Sequence, residues 1–284
     1  MPTRKISRWE FEVRSYEIGR HGAVESGTIA NYLEEVAVRA SADNGYDNKW
    51  YLDNGYIWLI NHWTVRFYQP LRYGDRIETR SWVSNFRRVQ SHREYELLRN
   101  GQRVVRARAN WVFLDTARER PTRLLDEFYD AFRPSEEELE PLDLTIGPKA
   151  GVTNGRIFST EHTVQRRELD RVWHANNAQY FRWVEDAMYS VLGACGWIES
   201  SENTLTARPV GHEMSYKVGV QLGDILHIES RIVGVEGVVV YWLHEVKLAA
   251  TEQVVAVNRS AISFFDDEEP TLPPDSLLAY LHQD

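Results

Sequence analysis

Two stretches of this chain carry the same apolar register, and that repetition restricts the possible folds more than any single motif. Ile29, Tyr32, Leu33, Val36, Ala37 and Ala40 follow the i, i+3, i+4, i+7 spacing that gathers one buried stripe on a helix. Tyr180, Trp183, Val184, Ala187, Met188 and Val191 each stand 151 positions after the corresponding residue. Further on, Gly74-Asp75 matches Gly223-Asp224 at a separation of 149, and Leu114-Asp115 matches Phe265-Asp266 at 151 again. A shared helix register followed by two shared landmarks in the same order is the mark of an internal repeat.

Each half reads as strand, helix, then antiparallel strands. The first has strand character over 11–15 and a helix that Ser26 or Thr28 could cap and that ends before Asn44-Gly45. A polar loop follows, then strands near 56–66, 75–85, 91–99 and 102–114, with Asn100-Gly101 as a hairpin turn. The second half has a strand near 157–164, a helix running to about Cys195, and further strands. From Pro270 the tail reads as an irregular coat ending in a short helix. The expected domains are 1–133, a Pro- and Glu-rich linker over 134–155, a second domain over 156–270 and a tail over 271–284. A long apolar helix followed by a curved antiparallel sheet is stable when the sheet wraps the helix and buries its stripe. The expected class is therefore α+β, two tandem hotdog folds.

Composition removes several functions. Asp and Glu outnumber Lys and Arg by 42 to 33, a net charge of −9, which disfavours nucleic acid as a partner. Basic clusters remain at Arg87-Arg88, at Arg118, Arg120 and Arg123, and at Arg166-Arg167; these are solvated faces or a docking surface for an acidic carrier protein. A single cysteine, Cys195, excludes an internal disulfide and lies on the apolar stripe as a small core residue. Nowhere do eighteen apolar residues follow one another, so no membrane span is expected, and a cytoplasmic protein is. No metal cluster, phosphate loop or flavin signature occurs, so no cofactor is expected.

The chemistry concentrates just before the second helix, where Asp170, His174, Asn176 and Asn177 fall within eight residues. The start of a helix offers unpaired N–H groups and a positive dipole end that can stabilise an oxyanion formed from a thioester or ester carbonyl. Asp170 could act as base toward water or attack the carbonyl itself, and His174 could orient or deprotonate the water. Asn176 or Asn177 could hold the carbonyl, or simply cap the helix. Tyr180, Trp183 and Tyr32 read as core and pocket walls, while Glu185 is a candidate second carboxylate or part of a solvated face. In the first half Gly19 occupies the place of Asp170, so the chemistry is expected in the second half and acyl-pocket shaping in the first.

These residues carry a resemblance. Val13-Arg14-Ser15-Tyr16-Glu17-Ile18-Gly19 resembles the opening strand of the plant and bacterial acyl-acyl carrier protein thioesterases. Asp170-x-x-x-His174-x-Asn176-Asn177-x-x-Tyr180 resembles the motif that begins their second hotdog. Tyr73-Gly74-Asp75, Trp82-Val83 and Asn110-Trp111-Val112 also fit, and the likeness spans residues 11 to 266. The resemblance implies hydrolysis of an acyl thioester on a carrier protein, with Asp170 and His174 as the catalytic pair. It also marks departures. The family's Asn two residues after the Asp is Val172 here, and its catalytic Glu falls at Val233, with Glu236 the nearest carboxylate. The Cys next to that Glu is missing. An Asp ten residues before a Tyr also resembles the 4-hydroxybenzoyl-CoA type of thioesterase.

The expected function is hydrolysis of acyl thioesters of acyl carrier protein, or of coenzyme A, by a monomer with an internal pseudo-dimer or by a homodimer. An enoyl-thioester hydratase or dehydratase ranks below, because the Asp–His spacing and the Pro of those motifs are absent. A non-hydrolytic acyl-binding protein is the rival from a different class.

Overall fold

The computed structural model describes residues 6–19, 22–132, 145–148, 155–198, 200 and 204–281. The chain divides into two compact units, Met1–Leu144 and Thr145–Asp284. Of the linker expected over 134–155, all but residues 145–148 and Gly155 lies outside the described residues.

In the first unit, strand β1 (Ser7–Glu12) passes through a single 3-10 turn (Ser15–Glu17) to helix α1 (Ser26–Ala42) and the short helix α2 (Asn48–Asp53). Strands β2 (Tyr56–Phe67), β3 (Arg76–Arg87), β4 (Gln90–Arg99), β5 (Gln102–Asp115) and β6 (Arg120–Pro121) and helix α3 (Asp126–Phe132) follow. The strands pair antiparallel in the order β1-β3-β4-β5-β2, with β6 added on β5. Asn100 and Gly101 turn the β4–β5 hairpin with φ of 52° and 76°, the doubly positive geometry that this pair tolerates.

The second unit contains β7 (Phe158–Thr163), a 3-10 turn (Arg166–Glu168), helix α4 (Asn177–Ala194), β8 (Leu205–Tyr216), β9 (Ile225–Glu236), β10 (Val239–Leu248), β11 (Val254–Asp266), β12 (Glu269–Thr271) and helix α5 (Asp275–Leu281). Its order is β7-β9-β10-β11-β8 with β12 on β11, the same order as the first unit strand for strand. Each unit is thus a hotdog of the α+β class, as the shared register predicts. Helix α4 packs on β7 and β9. All six of its stripe residues are buried, and its C-terminal half meets Trp197, Ile232, Val240, Trp242, Ile262 and Phe264 in one apolar cluster.

Several local expectations are corrected. β1 runs over Ser7–Glu12 rather than 11–15: its pairing with β3 starts at Ser7 on Ser81, and the Glu17 carboxylate, accepting from the Arg14 backbone N–H at 2.8 Å, holds the segment after it in a 3-10 turn. Glu25, not Ser26 or Thr28, is the cap residue of α1, and Ser26 is buried inside the helix. The polar loop after α1 contains α2, capped by the Asp47 side chain on Trp50 N–H at 2.7 Å. α3 forms because Phe128 and Phe132, one turn apart, bury against Tyr51, Val83 and Phe113.

Candidate active site

The segment leading into α4 folds on itself around Asp170. Leu169 and Ala175 form an isolated antiparallel bridge, and Asp170 N–H donates to the His174 carbonyl at 2.7 Å. The Asp170 Oδ1 then accepts from two backbone N–H groups, Val172 at 2.8 Å and His174 at 3.2 Å. This is the local side chain to backbone bonding that makes Asp a turn residue. Trp173 sits at φ 65°, where an L side chain is strained, and its ring is exposed. The loop leaves the Asp170 carboxylate exposed, and Oδ2 accepts none of the hydrogen bonds among the described residues. Val172 has no side-chain amide, and only its backbone N–H donates to Asp170.

His174 is half-buried against β8–β9 connection residues. A Cβ on Gly219 would lie 3.1 Å from His174 Cγ, so the imidazole rests close against this backbone and a side chain there would push it by a few tenths of an ångström. The next residue, Val220, accepts from Ala175 N–H at 2.9 Å and ties the loop to the unit. Below it Tyr180 is buried, with Trp183 at 4.7 Å and Tyr216 edge-on at 5.1 Å between ring centres. Burial pushes the Tyr180 hydroxyl up, Asp224 and Asp170 add to it, and a Val220 backbone hydrogen bond opposes it, so the group stays a neutral phenol. Tyr180, His174 and Asp170 therefore belong to one neighbourhood.

Asn176 caps α4: its Oδ1 accepts from Ala178 N–H at 2.7 Å. Its backbone N–H donates to the Glu168 carbonyl at 2.8 Å, closing the loop's base. Asn177 is the first helical residue, and its carbonyl accepts from the Tyr216 hydroxyl at 2.9 Å.

Glu168 is the residue that sequence reasoning overlooked. It is buried two residues before Asp170 and accepts from Gln165 N–H at 2.7 Å and from Trp183 Nε1 at 3.0 Å, with His162 Nε2 at 3.0 Å. Burial alone would raise its pKa, but these hydrogen bonds outweigh burial and hold the carboxyl below its ordinary value. The first unit repeats the device. Glu17 accepts from Arg14 N–H at 2.8 Å and from the Tyr32 hydroxyl at 2.6 Å. Tyr32, expected as pocket lining, is thus engaged with Glu17 and packs with its ring tilted on Phe11 at 4.3 Å, where His162 packs tilted on Trp183 at 4.9 Å in the second unit. The signal was available: Phe11, Glu17 and Tyr32 stand 151 residues before His162, Glu168 and Trp183.

The first unit keeps the loop but fills it differently. Gly19 N–H donates to the Ala23 carbonyl at 2.8 Å, and Gly22, at φ 67°, takes the place of Trp173. A Cβ on Gly19 would come within 2.8 Å of Glu25 Oε1. The side chain of Glu25 occupies the space next to residue 19, so a carboxylate returns there from the position that Asn176 holds in the second unit.

The remaining candidates separate. Glu185 is not on a solvated face: it is buried, and its Oε1 meets Nε2 of the fully buried His212 at 3.1 Å. Asn258 Oδ1 lies 3.4 Å from His212 Nδ1, and Phe181 packs edge-on to the imidazole. Glu236 stands at the last position of β9, and Val233 is buried in the same strand. Twelve strand residues at about 3.3 Å each put Glu236 roughly 36 Å of extended chain from Ile225, the end nearest Asp224 and Tyr180. The structure does not bring Glu236 together with Asp170. Cys195 ends α4 in the core, where burial pushes its thiol up, as a packing residue rather than a nucleophile.

Comparison with known proteins bears on the fold and on the family the chain resembles. Residues 4–132 match the model of the acyl-ACP thioesterase N-terminal domain, and residues 164–281 match the thioesterase-like superfamily. An acyl-[acyl-carrier-protein] hydrolase of Cuphea viscosissima is 24% identical over 63% of this chain and 46% of its own length. Oleoyl-acyl carrier protein thioesterase 2 of Arabidopsis thaliana is 26% identical over 63% of this chain and 53% of its own. The chain spans about half the length of the curated relatives it matches. Among solved structures, an acyl-ACP thioesterase from Bacteroides thetaiotaomicron superposes with a TM-score of 0.73 at 19% identity, covering 91% of this chain and 98% of that one. The 12:0-ACP thioesterase from Umbellularia californica gives 0.69 at 16%, covering 92% and 94%. The fold is that of a double hotdog protein, and its relatives are named thioesterases or acyl-[acyl-carrier-protein] hydrolases. Its first half is similar to the acyl-ACP thioesterases and its second to the thioesterase-like superfamily.

Proposed function

We propose that this protein hydrolyses fatty acyl thioesters of acyl carrier protein, releasing the free acid and the carrier thiol, with the reaction run from the loop before α4. One observation carries the reading. Asp170 has one oxygen held by two backbone N–H groups and the other exposed, at the entrance to a buried helix and beside His174.

Asp170 Oδ2 takes a proton from water, and the hydroxide attacks the thioester carbonyl carbon. The tetrahedral oxyanion is stabilised by dipoles at the start of α4, and its collapse breaks the carbon–sulfur bond; the thiolate then recovers the proton. Direct attack by Asp170 through a mixed anhydride uses the same oxygen. His174, held on Gly219, orients the water. Asn176 supports the site by capping α4, and Asn177 by anchoring Tyr216. Glu185, on α4, acts as a positioning group through the buried His212 of β8. We place the enzyme in the cytoplasm, in keeping with one buried thiol and no helix among the described residues long and apolar enough to cross a membrane.

The test is thiol release from a panel of acyl carrier protein and coenzyme A thioesters, for the wild type and Asp170→Asn. Inactivity of the wild type throughout, or full rate in the variant, overturns the reading. Hydration of an enoyl thioester without thiol release would instead favour a hydratase, and a bound thioester that survives incubation an acyl-binding protein.

A further inference from the structure

The first unit holds a second concavity that the chemistry of Asp170 does not use. It has a volume of about 800 Å³ and lies between the β3–β4 turn, the β5–β6 hairpin and α3. Arg88, Arg118, Arg120 and Arg123 line it together with Val89, Pro121 and Tyr129. Four guanidinium groups face one lining carboxylate, Asp115, in a chain whose net charge is −9. Asp115 is already engaged by its own turn, accepting from Arg118 N–H at 3.0 Å and lying 3.6 Å from the Arg118 guanidinium. Arg123 lies 3.5 Å from Asp126 at the exposed start of α3, and neither Arg88 nor Arg120 has an ion-pair partner among the described residues.

The fold does not require this charge. The matching hairpin of the second unit, β11–β12, turns with Asp266, Asp267, Glu268 and Glu269, and Asp266 pairs with Glu269 as Asp115 pairs with Arg120. The β5–β6 hairpin balances Arg118 and Arg120 against Asp115 and Glu119 while its counterpart is all acidic, so the turn itself does not call for arginines. Gathering like charges around a concavity costs self-repulsion, which an anion occupying it would relieve.

The shape selects among anions. A concavity of this volume suits a small ligand, for which typical sites run to roughly 300–1,000 Å³. Guanidinium forks match phosphate oxygens bidentately. Tyr129 is exposed and braced edge-on by Phe86 at 4.9 Å, so its free face can take a planar base, with Pro121 and Val89 as apolar floor. We propose that this concavity binds a phosphorylated nucleotide, with the arginines on the phosphate esters and Tyr129 against the base. The site is independent of turnover at Asp170.

Calorimetric titration of the full chain tests it, with 3′,5′-ADP, coenzyme A, pyrophosphate and adenosine as probes. The expected result is that 3′,5′-ADP and coenzyme A bind and adenosine does not, with affinity falling as salt rises. Arg120→Ala/Arg123→Ala should weaken 3′,5′-ADP at least tenfold. Tyr129→Ala should bring it down to the affinity of pyrophosphate. All three side chains are exposed, so unchanged thermal unfolding checks that the variants fold. Absence of 3′,5′-ADP binding at millimolar concentration, binding unaffected by the double substitution, or pyrophosphate binding as tightly as the nucleotide overturns the proposal. So does loss of acyl carrier protein binding alone, which would make the patch a docking surface for an acidic protein. Repeating the titration with Asp170→Asn, where binding should persist, keeps failure here distinct from failure of the thioesterase reading.

Discussion

Substituting Asp170 in two ways separates its chemistry from its place in the loop. The carboxylate makes two backbone hydrogen bonds through the same oxygen, at 2.8 Å and 3.2 Å. Asp170→Asn leaves an acceptor for both, so the loop should persist and stability should fall by less than about 1 kcal/mol. Asp170→Ala removes both. The loop is exposed, so water can take over the freed N–H groups, and the loss should be about 1–2 kcal/mol, with Trp173 no longer held in its strained conformation. For a unit of this size that is a fall in Tm of roughly 3–8 °C. The rate should respond in the opposite proportion. Loss of a general base or nucleophile costs about 10²–10⁴ in kcat, so Asp170→Asn should lose at least about 2.7 kcal/mol of transition-state stabilisation, as much as Asp170→Ala. The assays are thermal unfolding and thiol release under saturating acyl thioester. A rate in Asp170→Asn within tenfold of wild type, with Asp170→Ala alone impaired, would show that Asp170 only shapes the turn.

Gly219→Ala should press on His174 without unfolding the chain: the added Cβ meets the ring at 3.1–3.3 Å, the ring must shift by a few tenths of an ångström, and kcat should fall about tenfold with Tm changed by only a few degrees. Near-wild-type turnover in that variant would remove His174 from the reaction. Glu168 has its pKa lowered in the fold, so its contribution to stability is present above the ordinary carboxylate value and is lost as pH falls through that value toward the folded one. Glu168→Gln should therefore flatten the acid limb of a Tm-against-pH curve, and an unchanged limb would count against the network with His162 and Trp183. Burial holds His244 down to about 3 from 6.5, between Ser230 and Ser260 at 2.8 Å and 3.1 Å. The unfolded chain takes up a proton there below pH 6.5 while the fold does not, so the wild type should lose up to about 1.4 kcal/mol per pH unit between 6.5 and about 3. His244→Asn should reduce that slope by close to one proton.

What the sequence made legible is what repeats along the chain. The six stripe positions and the Gly-Asp pairs needed only counting, and they located both long helices and the matching strand order. The short helices were missed because each depends on a partner distant in sequence: α3 exists to bury Phe128 and Phe132 against Phe113 and Tyr51. Glu185 was misread for the same reason. It flanks the apolar stripe in a helical projection, and only the fold shows that β8 sets His212 opposite it. Glu168 could have been found by extending the repeat from apolar to polar positions, since the pairing of a carboxylate with an aromatic donor fifteen residues on recurs in both halves. Gly219 left no signal, because a glycine kept clear for a ring contact looks like any loop glycine.

The two loops explain why equal frames need not do equal work. In the second unit the cap of α4 is the short Asn176, whose oxygen turns inward to Ala178 N–H and leaves the space beside residue 170 to that residue's own carboxylate. In the first, the cap position holds Glu25, which makes no side-chain cap bond and instead reaches back beside residue 19, where a Cβ would meet its carboxylate at 2.8 Å. The carboxylates thus differ in origin. Asp170 is fixed by two N–H groups within its own turn, whereas Glu25 extends from a longer side chain at the helix start. Orientation to within a fraction of an ångström is what distinguishes a reacting group from a merely nearby one. The two halves therefore differ not in the presence of a carboxylate but in the position and the length of the side chain that carries it.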